Sequence, residues 1–386
     1  MANDKKELLG QVALLCFIAA GLYIVWPEAP IKGPAVETQV SAIAAPLATT
    51  SESTEPEPEA ALPEPETAQK PSNEAIIEDT SISVVPTPEP EGAVHRIVNP
   101  YATPPLSFDT INVSARSALV NILCIPYAGS LKPITGSGVI VSSTGIILTN
   151  AHVAQYVLLS QANTSVTCTI RMGSPAQPRF VPHVLYVPSD WIEQHASDII
   201  SARPVGTGEK DYALLFPVRS VDGSAAPADF PYLSIDTRER IGFTDDAVLV
   251  ASYPAEFLAG FAAYNNLYSA SSVTTIKKLL TFETNTVDVH SLGGIIGAQS
   301  GSSGGAVVNG WGYLIGIVST MADGKTTADR DLRSVTLSYI DRDIRAETGS
   351  SLTDILSVDP LERAVAFAQG PALTLVQLLI DAIEHR

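Results

Sequence analysis

The sequence is poor in cysteine and in positive charge. Only 3 of its 386 residues are cysteines, and no Cys/His pair has the spacing of a zinc site, so we predict no metal and no other cofactor. Lysine and arginine total 23 against 41 acidic residues, and the formal net charge of −18 argues against nucleic acid as a partner. Charged residues make up only 17% of the chain, which leaves enough apolar residues for a sizeable core.

One long run, LLGQVALLCFIAAGLYIVW at residues 8–26, contains no charge. Its length of about 19 residues is enough to cross a hydrocarbon core of about 30 Å. Lys5 and Lys6 precede the run and Glu28 follows it, so the positive-inside rule places residues 1–7 in the cytoplasm. We predict an uncleaved signal anchor in the cell membrane, with the rest of the chain outside the cytoplasm. A cleaved signal peptide is the alternative, although its apolar region would be shorter.

Residues 27–105 are rich in proline, glutamate, alanine, threonine and serine. Such a segment buries too little apolar surface to offset the entropy lost on ordering. Proline and like charges extend it. We therefore predict a disordered stalk that holds the following domain away from the membrane.

Periodic apolar patterns begin at Leu106, and Ser107 is a candidate N-cap for a first short helix. Many short apolar stretches separated by Gly, Pro and Asp turns follow, which is typical of a mostly β barrel protein. Two barrel halves fit the span of the domain at residues 106–345. The tail at residues 346–386 has helical spacing, and Gly370 with Pro371 breaks its last part into two helices that we expect to pack on the barrel.

The stretch QSGSSGGAVV at residues 299–308 reads Gly-x-Ser-Gly-Gly and continues into an apolar strand. A serine between flexible glycines, beside free backbone amides, suits nucleophilic attack on a carbonyl carbon. Glycine and serine also form ordinary surface turns, and taken alone the stretch favours such a turn. Its candidate nucleophiles are Ser300, Ser302 and Ser303.

A serine nucleophile needs a base within hydrogen-bond reach, and the base needs an acceptor that orients it. His152 is the best candidate base because it follows the apolar stretch GIILTN at a strand-to-helix turn. His183, His195 and His290 lie in polar, turn-like surroundings and are expected to be solvated. Asp211 heads the apolar strand DYALLF and is the candidate orienting acid.

The strings GSGVIVSSTGIILTNAHV, DYALL and GSSGGAVVNGWGYLIGIVS occur in this order. They resemble those of chymotrypsin-fold serine proteases, and most closely those of the HtrA-like bacterial branch. The resemblance covers residues 106–345 and implies a double six-stranded β-barrel of chymotrypsin type with the site in the cleft between the barrels. We expect no PDZ-type domain after it, because the tail is short and helical.

The resemblance also implies roles for individual residues. His152 would be the general base, Asp211 its orienting acid and Ser303 the nucleophile that forms an acyl-enzyme. The backbone N–H groups of Gly301 and Ser303 would form the oxyanion hole. Protein or peptide substrates follow from this assignment, whereas the sequence predicts no oligomeric state.

Two further positions carry over from the resemblance as substrate-binding residues. Gly297, six residues before the nucleophile, would line the floor of the specificity pocket. Because it is uncharged, we expect a small or medium apolar residue before the scissile bond; Asp323 on a later loop would instead favour a basic one. Ser319 would flank the substrate backbone and support the aspartate.

Cys124 and Cys168 both lie in predicted strands, outside the cytoplasm, where a disulfide persists. The sequence leaves open whether they form a disulfide or remain two separate buried thiols, since it does not give the distance between them.

Two rival functions remain. Gly301–Gly305 also fits the Gly-x-Ser-x-Gly string of α/β-hydrolases, with Asp354 and His385 in the required order, but the region before Ser303 lacks the helices of that fold. The second rival is a catalytically silent binding or sensing module on a protease scaffold, which the presence of all three candidate catalytic residues disfavours.

Overall fold

The computed structural model describes residues 96–129, 131–162, 164–201, 206–256, 265–282, 285–295, 297–322 and 326–385. The predicted cytoplasmic N-terminus, the predicted signal anchor and most of the predicted stalk lie outside the described residues. Within the part of the chain that is described, no single helix is long and apolar enough to cross a membrane.

The first half of the described fold is a closed antiparallel barrel. Its six strands are β1 Leu119–Pro126, β2 Ile134–Ile140, β3 Ile147–Thr149, β4 Val166–Met172, β5 Gln177–Tyr186 and β6 Ala213–Ser220. They are hydrogen-bonded in the order β1-β2-β3-β6-β5-β4, and β4 pairs with β1 to close the barrel. This half confirms the predicted six-stranded barrel.

The second half is a seven-stranded antiparallel sheet. Its strands are β7 Ala247–Ser252, β8 Ala270–Thr275, β9 Lys278–Leu280, β10 Val289–Gly293, β11 Ala306–Asn309, β12 Leu314–Ala322 and β13 Asp331–Thr336. The order is β8-β7-β11-β12-β13-β10-β9, and the described residues do not close it into a barrel. The expectation of a second closed six-stranded barrel is therefore wrong. The edge strand β8 is polar and none of its residues is buried, so it offers no apolar face for closure.

The polar sequence of β10, VHSLG, did not predict a strand. It pairs with β13 on one side and with β9 on the other. Its side chains are buried up to Leu292, so tertiary packing rather than local propensity makes it a strand.

Seven α-helices surround the two β-structures in the described residues. They are α1 Phe108–Ala118, α2 Ala151–Gln161, α3 Ser189–His195, α4 Leu337–Thr348, α5 Leu352–Ser357, α6 Pro360–Gln369 and α7 Pro371–Glu384. Ser107 caps α1, since its hydroxyl accepts a hydrogen bond from the Thr110 N–H. The predicted break at Gly370 and Pro371 is confirmed, with a bend of 55° between α6 and α7.

The two C-terminal helices pack on the first barrel and its attached helices, as predicted. Helix α6 contacts β5, and α7 contacts α2 and α3. The apolar side chains of α7 that face this contact, Leu375 and Leu379, are 2% and 0% exposed.

The ordered fold begins before the predicted end of the stalk. Tyr101 stacks on Tyr313 with ring centroids 4.6 Å apart, and its hydroxyl donates a hydrogen bond to the buried Asp236. The N–H of Ile97 donates to the carbonyl of Arg240. Residues 96–105 therefore belong to the folded domain, and the predicted boundary at residue 105 is too late. The prolines of this segment suggested a linker, whereas its single tyrosine anchors it.

A disulfide joins Cys124 of β1 to Cys168 of β4. The two residues are direct partners in the antiparallel register, and both side chains are buried. The structure thus resolves the alternative that the sequence left open, because only the pairing of β1 with β4 brings the two cysteines together across a separation of 44 residues.

Candidate active site

The first part of the site stands at the end of β3. Thr149 ends the strand, and its hydroxyl donates to the carbonyl of Ser137 on β2 at 2.7 Å. The Asn150 side-chain amide donates to the carbonyl of Asp211 at 2.7 Å. Helix α2 begins immediately afterwards, so His152 lies in its first turn, beside the segment that leads into β6.

His152 and Asp211 form a bidentate contact. Nδ1 of His152 lies 2.9 Å from Oδ2 and 3.1 Å from Oδ1 of Asp211, and the His152 backbone N–H donates to Oδ1 at 3.0 Å. The Asp211 side chain is 6% exposed and that of His152 is 25% exposed. With the Nδ1 proton directed at the carboxylate, Nε2 is the ring nitrogen left to act as a base.

Electrostatics favours a basic imidazole at this position. Burial alone would lower the pKa of His152, but the charge of Asp211 and its hydrogen bond outweigh burial and raise that pKa. Burial alone would raise the pKa of Asp211, yet the neighbouring His152 and the Ser319 hydroxyl hold it below its ordinary value. Asp211 is therefore ionised wherever His152 titrates.

Ser319 extends this contact into the second sheet. Its hydroxyl donates to Oδ2 of Asp211 at 2.8 Å, and the residue is 7% exposed. Ser319 belongs to β12. The structure thus brings together Ser319, Asp211 and His152, three of the residues that the sequence singled out.

The turn that carries Ser303 is held by the same strands. The backbone N–H of Ser137 donates to the carbonyl of Ser303 at 2.7 Å, and the N–H of Gly304 donates to the carbonyl of Val318 at 2.7 Å. Val318 immediately precedes Ser319, so β12 supports the serine turn and Asp211 at adjacent residues. Among the described residues, the Ser303 hydroxyl makes no hydrogen bond to His152.

Gly304 shows how closely the serine turn approaches the strand end below His152. Its φ of +83° lies in the left-handed region, and an added Cβ would stand 2.0 Å from the carbonyl oxygen of Ser137 and 2.5 Å from Oγ1 of Thr149. Thr149 is three residues before His152. Only glycine fits here, because one of the opposing atoms is the backbone carbonyl oxygen of Ser137, which cannot move aside as a flexible side chain can.

Two backbone N–H groups of the serine turn take no part in the hydrogen bonds of the described fold. In the described part of the chain, the N–H groups of Gly301 and Ser303 donate to no acceptor, although the intervening Ser302 N–H donates to Gln299. Gly301 has a φ of +94°, and its carbonyl oxygen accepts from the Ser137 hydroxyl at 2.8 Å. These two N–H groups are therefore available as the donors that the predicted oxyanion hole requires.

Ser137 is a supporting residue that sequence reasoning missed. Its N–H and hydroxyl hold the Ser303 and Gly301 carbonyls, and its hydroxyl also accepts from the Tyr253 N–H at 2.9 Å. It is fully buried. The signal in the sequence was the polar Gly-Ser-Gly at the start of an otherwise apolar strand, which pointed to a close backbone approach.

The neighbouring serines have other environments. Ser302 is 1% exposed and its hydroxyl accepts from Ser252 at 3.0 Å. Ser300 is exposed, and its N–H donates to Glu256, which forms a bidentate ion pair with Arg330. Ser302 and Ser303 both lie between Gly301 and Gly304, the two glycines of positive φ. Of these two serines, only Ser303 has a backbone N–H without an acceptor in the described residues.

The position predicted to line the specificity pocket is buried and apolar. The absent side chain of Gly297 would contact Leu332 at 3.6 Å and Ile295 at 3.7 Å, with the Ser252 hydroxyl at 3.7 Å. Asp323, the alternative determinant, lies outside the described residues.

Other candidate histidines lie elsewhere. His290, expected to be solvated, is instead completely buried in the second sheet, because β10 is an interior strand. His195 bonds to Asp198 at 2.9 Å, three residues away. Within the described ranges, no group of three or more histidine, cysteine, aspartate or glutamate side chains is placed to hold a metal ion.

The residues of the hydrolase alternative are not brought to Ser303. Asp354 caps its own helix α5 through Ser351, and His385 bonds to the carbonyl of Asp381 in its own helix α7. The paired strands are antiparallel, whereas that fold requires a parallel sheet.

Comparisons with known proteins show what part of this chain is similar to. Residues 136–317 match the trypsin-like peptidase domain, and this segment contains His152, Asp211 and Ser303. A search of the curated proteins found no match. Among solved structures, the crystal structure of Deg5 is similar, with 12% identity, a TM-score of 0.41, and coverage of 61% of this chain and 90% of that chain. The match shows a trypsin-like peptidase domain over residues 136–317, and the two β-structures fit the chymotrypsin fold.

Proposed function

We propose that the protein is a serine endopeptidase that cleaves protein substrates through an acyl-enzyme on Ser303. One observation carries the proposal: Ser319, Asp211 and His152 are hydrogen-bonded in series beside the turn that presents Ser303. The match of residues 136–317 to a peptidase domain supports the same reaction class.

In this mechanism, Ser303 Oγ attacks the scissile carbonyl carbon while Nε2 of His152 accepts the serine proton. Asp211 stabilises the imidazolium, which then gives its proton to the leaving amine. A water molecule attacks the acyl-enzyme in the same way and releases the acid product. The free N–H groups of Gly301 and Ser303 stabilise the oxyanion, and one such donor typically contributes about 2.7–4 kcal/mol to lowering the barrier.

We further propose that the enzyme prefers a small or medium apolar residue before the scissile bond. The apolar neighbours of Gly297, Leu332 and Ile295, support this preference. Profiling with a peptide library tests it, and a strict requirement for arginine or lysine would instead favour the role of Asp323.

For the whole chain we propose a single-pass membrane protease of the HtrA-like branch. Residues 8–26 form the anchor and the peptidase domain faces the extracytoplasmic side. The disulfide between Cys124 and Cys168 supports this side, because disulfides persist in oxidising compartments. Protease digestion of intact spheroplasts tests it: removal of the domain supports the proposal and protection contradicts it.

Hydrolysis of a fluorescently labelled protein substrate tests the reaction. We expect Ser303→Ala to abolish hydrolysis and Ser300→Ala, which removes an exposed hydroxyl on the same turn, to keep at least about a third of it. Equal activity of Ser303→Ala and the wild-type protein would contradict the mechanism.

The second candidate function is a catalytically silent binding module. The observation that favours it is the missing hydrogen bond between Ser303 and His152 in the described structure, although such bonds often form only when substrate binds. Saturable peptide binding without hydrolysis, unaffected by Ser303→Ala, would support this candidate.

A further inference from the structure

The residue before the candidate catalytic acid has an unusual backbone and an unusual environment. Lys210 has a φ of +54°, in the left-handed backbone region that residues other than glycine rarely adopt. It immediately precedes Asp211. A residue held in such a conformation needs surrounding contacts that fix it, and such residues cluster at functional sites.

Three carboxylates surround the Lys210 ammonium group. Nζ lies 2.7 Å from Oε1 of Glu347, 2.9 Å from Oδ2 of Asp190 and 3.6 Å from Oδ1 of Asp343. Asp190 belongs to α3, whereas Asp343 and Glu347 are one turn apart on α4. We call these four residues the Lys210 cluster.

The cluster is partly shielded from water. The Lys210 side chain is 24% exposed, and those of Asp343 and Glu347 are 12% and 23% exposed. Burial alone would lower the pKa of Lys210, but the hydrogen bonds to Glu347 and Asp190 outweigh it and raise that pKa. The ammonium group is therefore charged throughout the pH range in which His152 titrates.

Helix α4 also holds the backbone on both sides of Asp211. The Lys210 N–H donates to the Tyr339 hydroxyl at 3.1 Å. On the other side, the Tyr212 hydroxyl donates to Oδ2 of Asp343 at 2.7 Å. Asp211 thus stands between two residues that are each bonded to the same helix.

None of these contacts reaches Ser303, His152 or the predicted specificity pocket. The only catalytic-site group next to the cluster is Asp211, which aims both carboxylate oxygens at His152. The effect of the cluster on catalysis would therefore pass through the orientation of this one carboxylate.

We propose that Lys210 is a positioning residue, which with Asp190, Asp343 and Glu347 fixes the segment that presents Asp211 to His152. Three side chains of helix α4, those of Tyr339, Asp343 and Glu347, would thereby hold the Asp211 segment in place. The assignment rests on the proposed serine protease function.

The direction in which the His152 pKa changes distinguishes a positioning role of Lys210 from a direct effect of its charge. Removing the Lys210 charge leaves extra negative charge near His152, which by itself raises the pKa of the imidazole. Loosening the contact between Asp211 and His152 removes the cause of its raised pKa and so lowers it. A fall in the His152 pKa therefore reports positioning.

The experiment uses the full-length chain in detergent with ¹⁵N-labelled histidine. The His152 titration is followed by NMR in a Ser303→Ala background, which prevents self-cleavage, with and without Lys210→Met. In the Ser303 enzyme we expect Lys210→Met to reduce kcat/KM about ten-fold through kcat, with KM within about two-fold. We expect Lys210→Arg, which keeps the charge and the donors, to recover most of the activity.

Arg345→Met is the matched control. Arg345 lies on the same helix α4 and pairs with Asp341 at 2.7 Å, so its loss removes the same charge without touching the cluster. If Lys210→Met fails to fold, Lys210→Gln, which keeps N–H donors, takes its place with the same expected signs.

A lower His152 pKa in Lys210→Met, unchanged in Arg345→Met, supports the proposal. A His152 pKa that stays constant or rises in Lys210→Met overturns it, whatever the effect on kcat/KM. The NMR arm needs no turnover, so it decides the positioning role even if the wild-type chain proves inactive, an outcome that would contradict only the proposed function.

Discussion

The hydroxyl of Ser319 lies 2.8 Å from Oδ2 of Asp211 and donates a hydrogen bond to it. Ser319 is part of β12 in the second sheet, whereas Asp211 lies two residues before the start of β6 in the first barrel. The bond therefore crosses between the two β-structures at the candidate site. It leaves the carboxylate with partners on two sides, since His152 donates from the other.

Ser319→Ala should reduce kcat/KM about ten-fold. A hydrogen bond to a charged group is typically worth about 1.5 kcal/mol or more, and about 1.4 kcal/mol corresponds to a factor of ten. Ser291→Ala is the matched control, because Ser291 is also buried and its hydroxyl donates to a carboxylate, that of Asp331, away from the site. Equal losses in both variants would assign the effect to general stability rather than to Asp211.

Gly304→Ala should destabilise the fold more than Gly349→Ala. Both glycines have positive φ, +83° and +72°, so both substitutions carry a similar backbone cost of about 1–2 kcal/mol. At Gly304 the new Cβ also meets the Ser137 carbonyl at 2.0 Å, whereas at Gly349 nothing lies within 4 Å. Urea unfolding of the two variants measures the difference; equal midpoints would show that the serine turn does not pack against β2 as described.

The pH dependence of kcat/KM should follow His152. The neutral imidazole is the active base, so activity should rise with pH through the raised pKa of His152, above the ordinary histidine value of 6.5. Asp211→Asn removes both causes of the raised pKa and leaves burial, so the acid limb should move to lower pH while kcat falls about ten thousand-fold.

Asp198→Asn is the control for this profile, because Asp198 pairs with His195 instead. An acid limb that is unchanged in Asp211→Asn would mean that another group titrates in the assay.

The buried His290 should make the protein sensitive to acid. Both ring nitrogens are buried, and burial, which a backbone contact with Gly242 offsets only in part, lowers the pKa of His290 to about 4. The unfolded chain binds this proton already near pH 6.5, so stability falls as pH drops from 6.5 towards 4, by up to about 3 kcal/mol. Above pH 6.5 the histidine contributes no pH dependence.

His290→Leu should flatten this acid branch in urea unfolding measured at several pH values. His195→Leu serves as control, because the His195 side chain is 30% exposed. Parallel pH dependence in the wild-type protein and His290→Leu would show that His290 is not the group responsible.

The candidate residues Ser303 and His152 could be proposed from the sequence because their neighbours in the chain indicate the chemistry. Ser303 stands among glycines, and His152 follows an apolar strand whose end must face the rim of a barrel. Such local patterns place a side chain at a strand end without any knowledge of the fold.

Contacts between distant segments could not be predicted in this way. Ser137 and Gly301 are 164 residues apart, and Lys210 and Glu347 are 137 apart. The sequence around a single serine such as Ser137, or around a charged residue such as Lys210, contains no pattern that indicates which distant residue it contacts. The open second sheet was missed for the same reason, because its edges depend on which strands pair and not on the amino-acid pattern of each strand.

The most direct test of the central claim is labelling with a fluorophosphonate probe followed by peptide mass spectrometry. The probe reacts with a serine only when a base activates it beside an oxyanion hole. We predict a single adduct on Ser303 that is lost in Ser303→Ala and reduced to a trace in His152→Ala. An adduct on another serine, or labelling of Ser303 that persists at full rate in His152→Ala, would contradict the account.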